Sequence, residues 1–372
     1  MELSKDQKQA LREIISWYFD DEDKKFFTLG GLAGSGKTFL IRVLEDEIQK
    51  RELISIAHCA YTGKAANVMR TKGINNACTI HSLIYKPIKE GEKVRFVKIP
   101  VDEMAYKLIV VDEASMVSEE IFNDLMSYGK KILFVGDYGQ LDPVGSKFNL
   151  MQEEDLDFKL TTIHRQALEN PIIRLSLQIR EGRDFDYGNY ENKFYKMHPT
   201  QLHDSTFLRA DQVICGSNKR RKELNDYYRE LKRYYDMPKK DERLIILRNN
   251  NFKGYFNGQQ IIVDEDFKQE STITLMGKFH DPLDSYKIGH EEQFWMTNLY
   301  NCGYNIKEDS DSKDTLSADY AYCISVHKSQ GSEWDKVILI DDEGFLRWDY
   351  EAKCKWLYTA FTRAKDKMVW VG

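Results

Sequence analysis

The chain has 372 residues, 42% hydrophobic and 31% charged, with a formal net charge of −6; that length accommodates two to three domains of roughly 100–200 residues each. The acidic balance excludes a protein that coats nucleic acid through bulk positive charge, but it leaves room for a narrow track of a few cations, amides, hydroxyls and aromatics. No apolar run approaches the ~20 residues of a membrane span, the charged start MELSKDQKQALREI lacks the apolar core of an export signal, and the six scattered cysteines form no CxxC pair, so no disulfide framework or zinc site is expected and a reducing cytoplasm is the expected location.

In chain order, Ala10, Leu11, Ile14 and Ile15 recur at helical spacing. KKFFTLGG reads as a buried strand that runs into glycines, and TFLIRVLEDEIQKR as an amphipathic helix. LISIAHCAYTG, KLIVVDEAS and KKILFVGDYGQ are further apolar strands. Strands alternating with helices, with chemistry at strand C-terminal ends, describe a parallel α/β sheet. Between His81 and the DEAS strand, YKPIKEGEKVRFVKIP predicts a β-hairpin turning at Gly91, with Val94, Phe96, Val97 and Ile99 in its second arm.

The α/β pattern restarts near residue 171 with NPIIRLSLQIREG, the strand DQVICGSN and the helix KRRKELNDYYRELKRYY. Residues 237–316 change character: LIILRNN, YFNGQQIIV, STITLMG and EQFWMTNLY are short strands between turn signals, which predicts a small β-barrel. Its aromatics Phe256, Phe294, Trp295 and Tyr300 are expected to be core. DYAYCISVHKSQG, DKVILIDD and KMVWVG resume the α/β pattern. The expected division is residues 1–170 (hairpin insert about 84–104), 171–236 with 317–372, and the β-rich insert 237–316.

Gly31-Leu-Ala-Gly-Ser-Gly-Lys-Thr38 matches the phosphate-binding loop G-x-x-x-x-G-K-[ST] in its strand–loop–helix setting. Glycines at positions 34 and 36 let backbone amides, including that of Ser35, face phosphates at a positive helix end. Lys37 would neutralise the β/γ-phosphates of ATP, and Thr38 would ligate Mg²⁺. Asp112 ends an apolar strand where it can hold Mg²⁺ through water, and Glu113 can polarise the attacking water. Gln140, at the tip of the next strand, is a candidate sensor of the γ-phosphate. His58 and His164 read as structural.

These segments, in this order, resemble a superfamily 1 group B helicase of the RecD-like branch, similar in size and layout to its Dda type. LSKDQKQA resembles the adenine-reading segment, with Gln7 as its glutamine; AYTGKAANVM and CTIHSLI resemble two strand-contact segments. TTIHRQ matches the segment with a first arginine finger, Arg165, and LYTAFTRAKDKM the one ending in a second, Arg363. CGSNKRRKELN and YAYCISVHKSQGSEWD complete the set, which spans nearly the whole chain. Tyr61 stands where the family usually has proline, and Ser217 where it has threonine.

The resemblance implies two RecA-like parallel-sheet domains, a pin-like hairpin in the first and an SH3-like β-barrel in the second, with ATP between the domains. It implies that Glu333 contacts the ribose. Thr62, Lys64, His81, Ser82 and, on the pin, Phe96 would contact nucleic acid from the first domain, and Asn218, Lys219, Ser325 and His327 from the second. It further implies a monomeric, stand-alone motor without RecD's extra N-terminal domain, moving 5′→3′ on single-stranded DNA and opening fork or duplex DNA. RNA as the track stays open. So do two other classes: a phosphate-loop kinase or ATPase that moves no nucleic acid, and an annealing or remodelling factor.

Overall fold

The computed structural model describes residues 2–74, 76–90, 93–142, 148–235, 237–247, 255, 257–269, 275–280, 290–296, 315–341 and 349–372. Its contacts divide the chain into two compact units, Met1–Asp184 with Asp349–Thr362, and Phe185–Trp348 with Arg363–Gly372.

The first unit is built on strands β1 (Phe26–Gly31), β2 (Ile56–Ala60) and β3 (Cys78–Thr79), a hairpin of β4 (Tyr85–Glu90) and β5 (Lys93–Lys98), and strands β6 (Leu108–Asp112), β7 (Lys131–Gly136) and β8 (Phe158–Leu160). Apart from the hairpin these form one parallel sheet in the order β3-β2-β6-β7-β1-β8. Helices α1 (Lys5–Asp20), α2 (Lys37–Arg51), α3 (Gly63–Thr71), α4 (Ile80–Ile84), α5 (Glu119–Met126), α6 (Arg165–Leu168) and α7 (Pro171–Arg180) accompany it.

The sheet is covered on both faces, which explains its continuous apolar strands. Successive strand residues point to opposite sides. On one face Leu108 and Val110 of β6 pack with Ile14 and Trp17 of α1 and Leu40 and Leu44 of α2. On the other, Ile109 and Val111 pack with Ile121 and Leu125 of α5. Each fully buried side chain of this kind contributes about 1.5–3 kcal/mol relative to exposure.

The expected hairpin is present as an antiparallel pair from Tyr85↔Lys98 to Glu90↔Lys93; Gly91 lies outside the described residues. Its base is tied down: the Tyr128 hydroxyl lies 2.9 Å from the carbonyl oxygens of Ile84 and Ile99. Asp124 accepts hydrogen bonds from Tyr85 and, at 3.1 Å, from Lys98.

In the second unit β9 (Gly188–Tyr190), β10 (Phe194–Met197) and β11 (Gln212–Cys215) precede α8 (Asp204–Leu208) or flank it, and α9 (Asn218–Lys232) follows. The β-rich stretch comprises β12 (Arg243–Ile246), β13 (Gln260–Val263), β14 (Lys268–Gln269), β15 (Leu275–His280), β16 (His290–Met296) and β17 (Thr315–Tyr320). Then come β18 (Cys323–Ser325), α10 (Val326–Ser329), β19 (Trp334–Ile340) and β20 (Ala364–Val371); α11 (Tyr350–Phe361) belongs to the first unit. One sheet runs β18-β11-β19-β20-β10-β9, parallel except for β9. The β-rich strands run β13-β12-β17-β16-β15-β14, and an added β13–β15 pairing closes them into a ring.

The described residues of the ring share a core with the α/β part. Leu244, Tyr255, Ile261 and Tyr320 share one cluster with Val213, Leu224 and Ile338 of the α/β part. Phe256 and Tyr300 lie outside the described residues, as do the side chains of Phe294 and Trp295. Two helices fall elsewhere than the sequence division puts them: α7, beyond residue 170, and α11 both belong to the first unit. They pack on each other, and amphipathic spacing shows that a helix has an apolar face without showing which body covers it.

A buried ion pair knits the second unit. Arg229, fully buried, donates from Nε to Glu242 Oε1 at 2.9 Å and from a terminal nitrogen to Oε2 at 3.2 Å. Glu242 also accepts from the Tyr322 hydroxyl at 3.1 Å and the Lys239 amide at 2.7 Å, and the guanidinium lies 4.2 Å from the Tyr320 ring centre. Removing one member leaves the other charge buried and unpaired. Arg229→Ala should therefore lower the stability of this unit by about 3–5 kcal/mol. Urea unfolding checks this; a loss under about 1 kcal/mol, the worth of an exposed pair, would contradict it.

Candidate functional site

Because the first sheet is parallel, the C-terminal ends of its strands share one edge. The register aligns Gly30 with Gly136, Gly31 with Leu160, and Ala60 with Asp112. The loops after β1, β6, β7 and β8 therefore bring Gly31–Thr38, Asp112–Glu113, the Gln140 turn and Thr161–Arg165 to that edge.

The phosphate loop is held tightly by its neighbours. Gln7, fully buried on α1, donates from Nε2 to the Ser35 carbonyl at 3.0 Å and lies 2.8 Å from His164 Nε2. Its Oε1 accepts from the Ser4 amide at 3.0 Å, completing a capping box. The His164 amide donates to the Gly34 carbonyl at 3.1 Å. Asp6 Oδ2 accepts from the Thr161 and Thr162 amides at 3.0 and 2.8 Å. Burial pushes the Asp6 carboxyl up, but bonds from Ser4 and Thr162 outweigh it and hold the pKa below the ordinary value.

Glycine is required at two loop positions. Gly34 and Gly36 have φ of +82° and +77°. A Cβ at Gly34 would lie 2.6 Å from Ala167 Cβ, and one at Gly36 would lie 2.5 Å from Gln7 Nε2 and 2.8 Å from His164 Nε2. Lys37, at the start of α2, folds its ammonium onto the loop, donating to the Gly31 carbonyl at 2.6 Å and the Leu32 carbonyl at 3.2 Å. A nucleotide phosphate offers the same ammonium a charged acceptor.

Asp112 Oδ1 accepts the Glu113 amide at 2.9 Å. Glu113 has a left-handed backbone, φ 54° and ψ 41°, which re-aims the chain at the strand tip. Among the described residues neither the Thr38 hydroxyl nor the second Asp112 oxygen has a hydrogen-bond partner, so a hydroxyl and a carboxylate suited to Mg²⁺ are available. Gln140 is buried with Oε1 unpartnered, a group that awaits a donor. Arg165 opens α6, next to His164; its side chain lies outside the described ones.

The strand-contact candidates of the first unit lie around α3 and α4. Thr62 caps α3, accepting the Ala65 amide at 3.1 Å, and Lys64 follows it. Ser82 forms a capping box with Thr79. His81 stands 6.1 Å from the Tyr61 ring and 5.8 Å from the Tyr85 ring. Burial lowers its pKa against the opposing pull of Glu120, so it is a neutral ring near pH 7. Phe96 is half-buried on β5. His58 is buried on β2, 3.2 Å from Glu45.

The second unit holds the remaining candidates. Asn218 and Lys219 are exposed at the start of α9, which Ser217 caps by accepting the Arg220 amide at 3.1 Å, as a threonine would. Ser325 caps α10, and burial lowers the pKa of His327 on its first turn. Lys328 beside them is brought down to about 8 by burial and by Arg221. Arg363 is buried, donating to the Ser332 and Ser329 carbonyls at 3.1 and 3.5 Å, and Glu333 is exposed just before β19. Asp6, Asp137 and Tyr358 lie within the LSKDQKQA, GDYGQ and LYTAF segments, but nothing local in the sequence marks their hydrogen-bond partners, nor the pairing of His164 with Gln7.

Known proteins share this architecture. A family model described as an AAA domain matches residues 2–194, and one described as a UvrD-like helicase C-terminal domain matches residues 320–371. The ATP-dependent RecD2 DNA helicase of Deinococcus radiodurans is 24% identical over 383 residues, covering 100% of this chain, which spans only 49% of that protein. The ATP-dependent DNA helicase Pif1 of Campylobacter jejuni is 24% identical over 402 residues, covering 91% of this chain and 86% of its own length. Among solved structures, Bacteroides Pif1 helicase in complex with ADP-AlF3 and single-stranded DNA superposes with a TM-score of 0.55 at 20% identity, covering 100% of this chain and 93% of the other, and so shares its fold.

The packing around Gly36 carries its own test. Gly36→Ala places a methyl against Gln7 and His164 at a positive φ. Such strain costs on the order of 1–3 kcal/mol, and hydrogen exchange of the amides in residues 31–38 should quicken. A variant with wild-type stability and unchanged exchange in that loop would show that the clamp does not hold it.

Proposed function

We propose, for a chain that belongs to the RecD/Pif1-like, AAA-domain helicases of superfamily 1, that it hydrolyses ATP at the phosphate loop and uses the energy to move 5′→3′ along single-stranded DNA and open duplex DNA. The observation that carries this reading is one sheet edge bearing the clamped phosphate loop, the Asp112–Glu113 pair and a buried glutamine with a free acceptor. A kinase or an ATPase that moves no nucleic acid leaves the second α/β sheet and Arg363 without a role, and a remodelling factor without hydrolysis needs neither Glu113 nor the two arginines.

In this reading Lys37 leaves its two carbonyls for the β/γ-phosphates, and loop amides meet the phosphate oxygens. Thr38 and Asp112 would hold Mg²⁺, which would supply positive charge to the phosphates. Glu113 takes the proton from the attacking water, and Gln140 senses the terminal phosphate. Arg165 and Arg363 are the guanidinium groups proposed for the spread negative charge of the transition state. Gln7 acts first as a support for the loop, since its amide is spent on Ser35 and His164. Glu333 is the ribose contact.

Thr62, Lys64, His81 and Ser82, with Asn218, Lys219, Ser325 and His327, grip the strand through phosphates and sugars, which suits motion without regard to sequence. The closed ring of the second unit is read as the SH3-like insert. The hairpin β4–β5, anchored at Tyr128 and Asp124, is read as the wedge at the fork, with Phe96 against the last base pair. DNA is favoured over RNA because the named relatives are DNA helicases.

A single preparation tests this. The protein should unwind a duplex with a 5′ single-stranded tail in the presence of ATP, and not one with a 3′ tail. A variant with residues 88–94 trimmed to a two-residue turn should keep hydrolysing ATP on single-stranded DNA while unwinding collapses. Unwinding from the 3′ tail alone would reverse the polarity, and a trimmed protein as fast as wild type would remove the wedge.

A further inference from the structure

The hydroxyl of Tyr358 sits at a junction that no motif assigns. Tyr358 lies on α11, fully buried within the first unit. Its hydroxyl donates to Asp137 Oδ2 at 2.8 Å and accepts from the Ala33 amide at 2.7 Å. Ala33 follows Leu32, whose carbonyl holds the Lys37 ammonium. Asp137, itself buried, opens the turn that carries Gln140: its Oδ1 accepts the Gly139 amide at 2.9 Å, and its carbonyl the Gln140 amide at 3.3 Å. The fit is close, since a Cβ on Gly139 would lie 2.9 Å from the Tyr358 ring. One residue on, Thr359 Oγ1 accepts the Leu141 amide at 2.9 Å and so grips the same turn. Helix α11 ends at Phe361, two residues before Arg363.

We propose that Tyr358 is a positioning residue for ATP hydrolysis, its hydroxyl fixing to one helix both the Leu32–Ala33 start of the phosphate loop, whose Leu32 carbonyl holds the Lys37 ammonium, and the Gln140 turn. A phenol that donates to a carboxylate becomes a better acceptor for the Ala33 amide, so the two bonds support each other. Both tethered segments bear groups that meet the terminal phosphate, where charge develops during transfer. Placement there weighs on the transition state more than on the bound ground state. The rest of the loop keeps its own clamp from Gln7 and His164, so nucleotide binding persists without the tyrosine hydroxyl.

This inference rests on the reading of the loop as an ATPase site, and the test separates the two. Tyr358→Phe keeps the ring and removes only the hydroxyl. With single-stranded DNA present, kcat should fall about tenfold, the effect of one lost hydrogen bond, while KM for ATP stays within about twofold and the melting temperature without nucleotide holds. Asp137→Asn should act through the same bond, so the double variant should be no slower than the slower single one. A kcat equal to wild type, a rise in KM alone, a loss explained by the fraction of unfolded protein, or losses that multiply in the double variant would each overturn the role of Tyr358. Absence of ATP hydrolysis in the wild-type protein would instead remove the reading on which it rests.

Discussion

The phosphate loop depends on hydrogen bonds from segments far away in the chain. A glycine-rich loop presenting amides outward cannot satisfy itself internally, and two of its residues hold positive φ. Gln7 from the first helix, His164 from beyond β8 and Tyr358 from near the C-terminal end of the chain converge on Ser35, Gly34 and Ala33. Each contributes a modest net energy, about 0.5–1.5 kcal/mol per bond. Gln7 and His164 order the loop before any nucleotide arrives, which lowers the cost of binding, while the proposed part of Tyr358 is placement for the transfer step.

The same economy explains why the glycines cannot be exchanged. Gly34 and Gly36 are needed as much for the approach of Ala167, Gln7 and His164 as for phosphate access. The Asp112 and Glu113 carboxylates are placed by simpler means: β6 is buried on both faces, and its end delivers them to the edge of the sheet. The second unit relies on a shared core and on the Arg229–Glu242 pair, and it keeps His327 and Lys328 partly desolvated, where a change of charge costs more than on an open surface.

Much of this was legible in the sequence. Continuous apolar runs located β1, β2, β6 and β7, and the spacing from Gly31 to Thr38 located the loop because a phosphate demands that pattern. The Tyr85–Lys98 hairpin followed from its turn and β-formers. What stayed hidden depends on tertiary partners. Nothing local in Gln7 says that its amide is consumed by Ser35, and nothing in LYTAF separates a buried hydrogen-bonding tyrosine from a core one. The assignment of α7 and α11 to the first unit, and the β13–β15 closure, are likewise decided by long-range packing.

The proposed function requires a pre-ordered nucleotide site whose hydrolysis serves movement on DNA. Steady-state ATP hydrolysis measured with single-stranded DNA, with single-stranded RNA and with no polymer tests that claim most directly, with Glu113→Gln as the control for the site. The account predicts turnover that rises strongly with DNA and falls roughly 10²–10⁴-fold in the control, the usual worth of a general base. Hydrolysis that proceeds at one rate under all three conditions would contradict it.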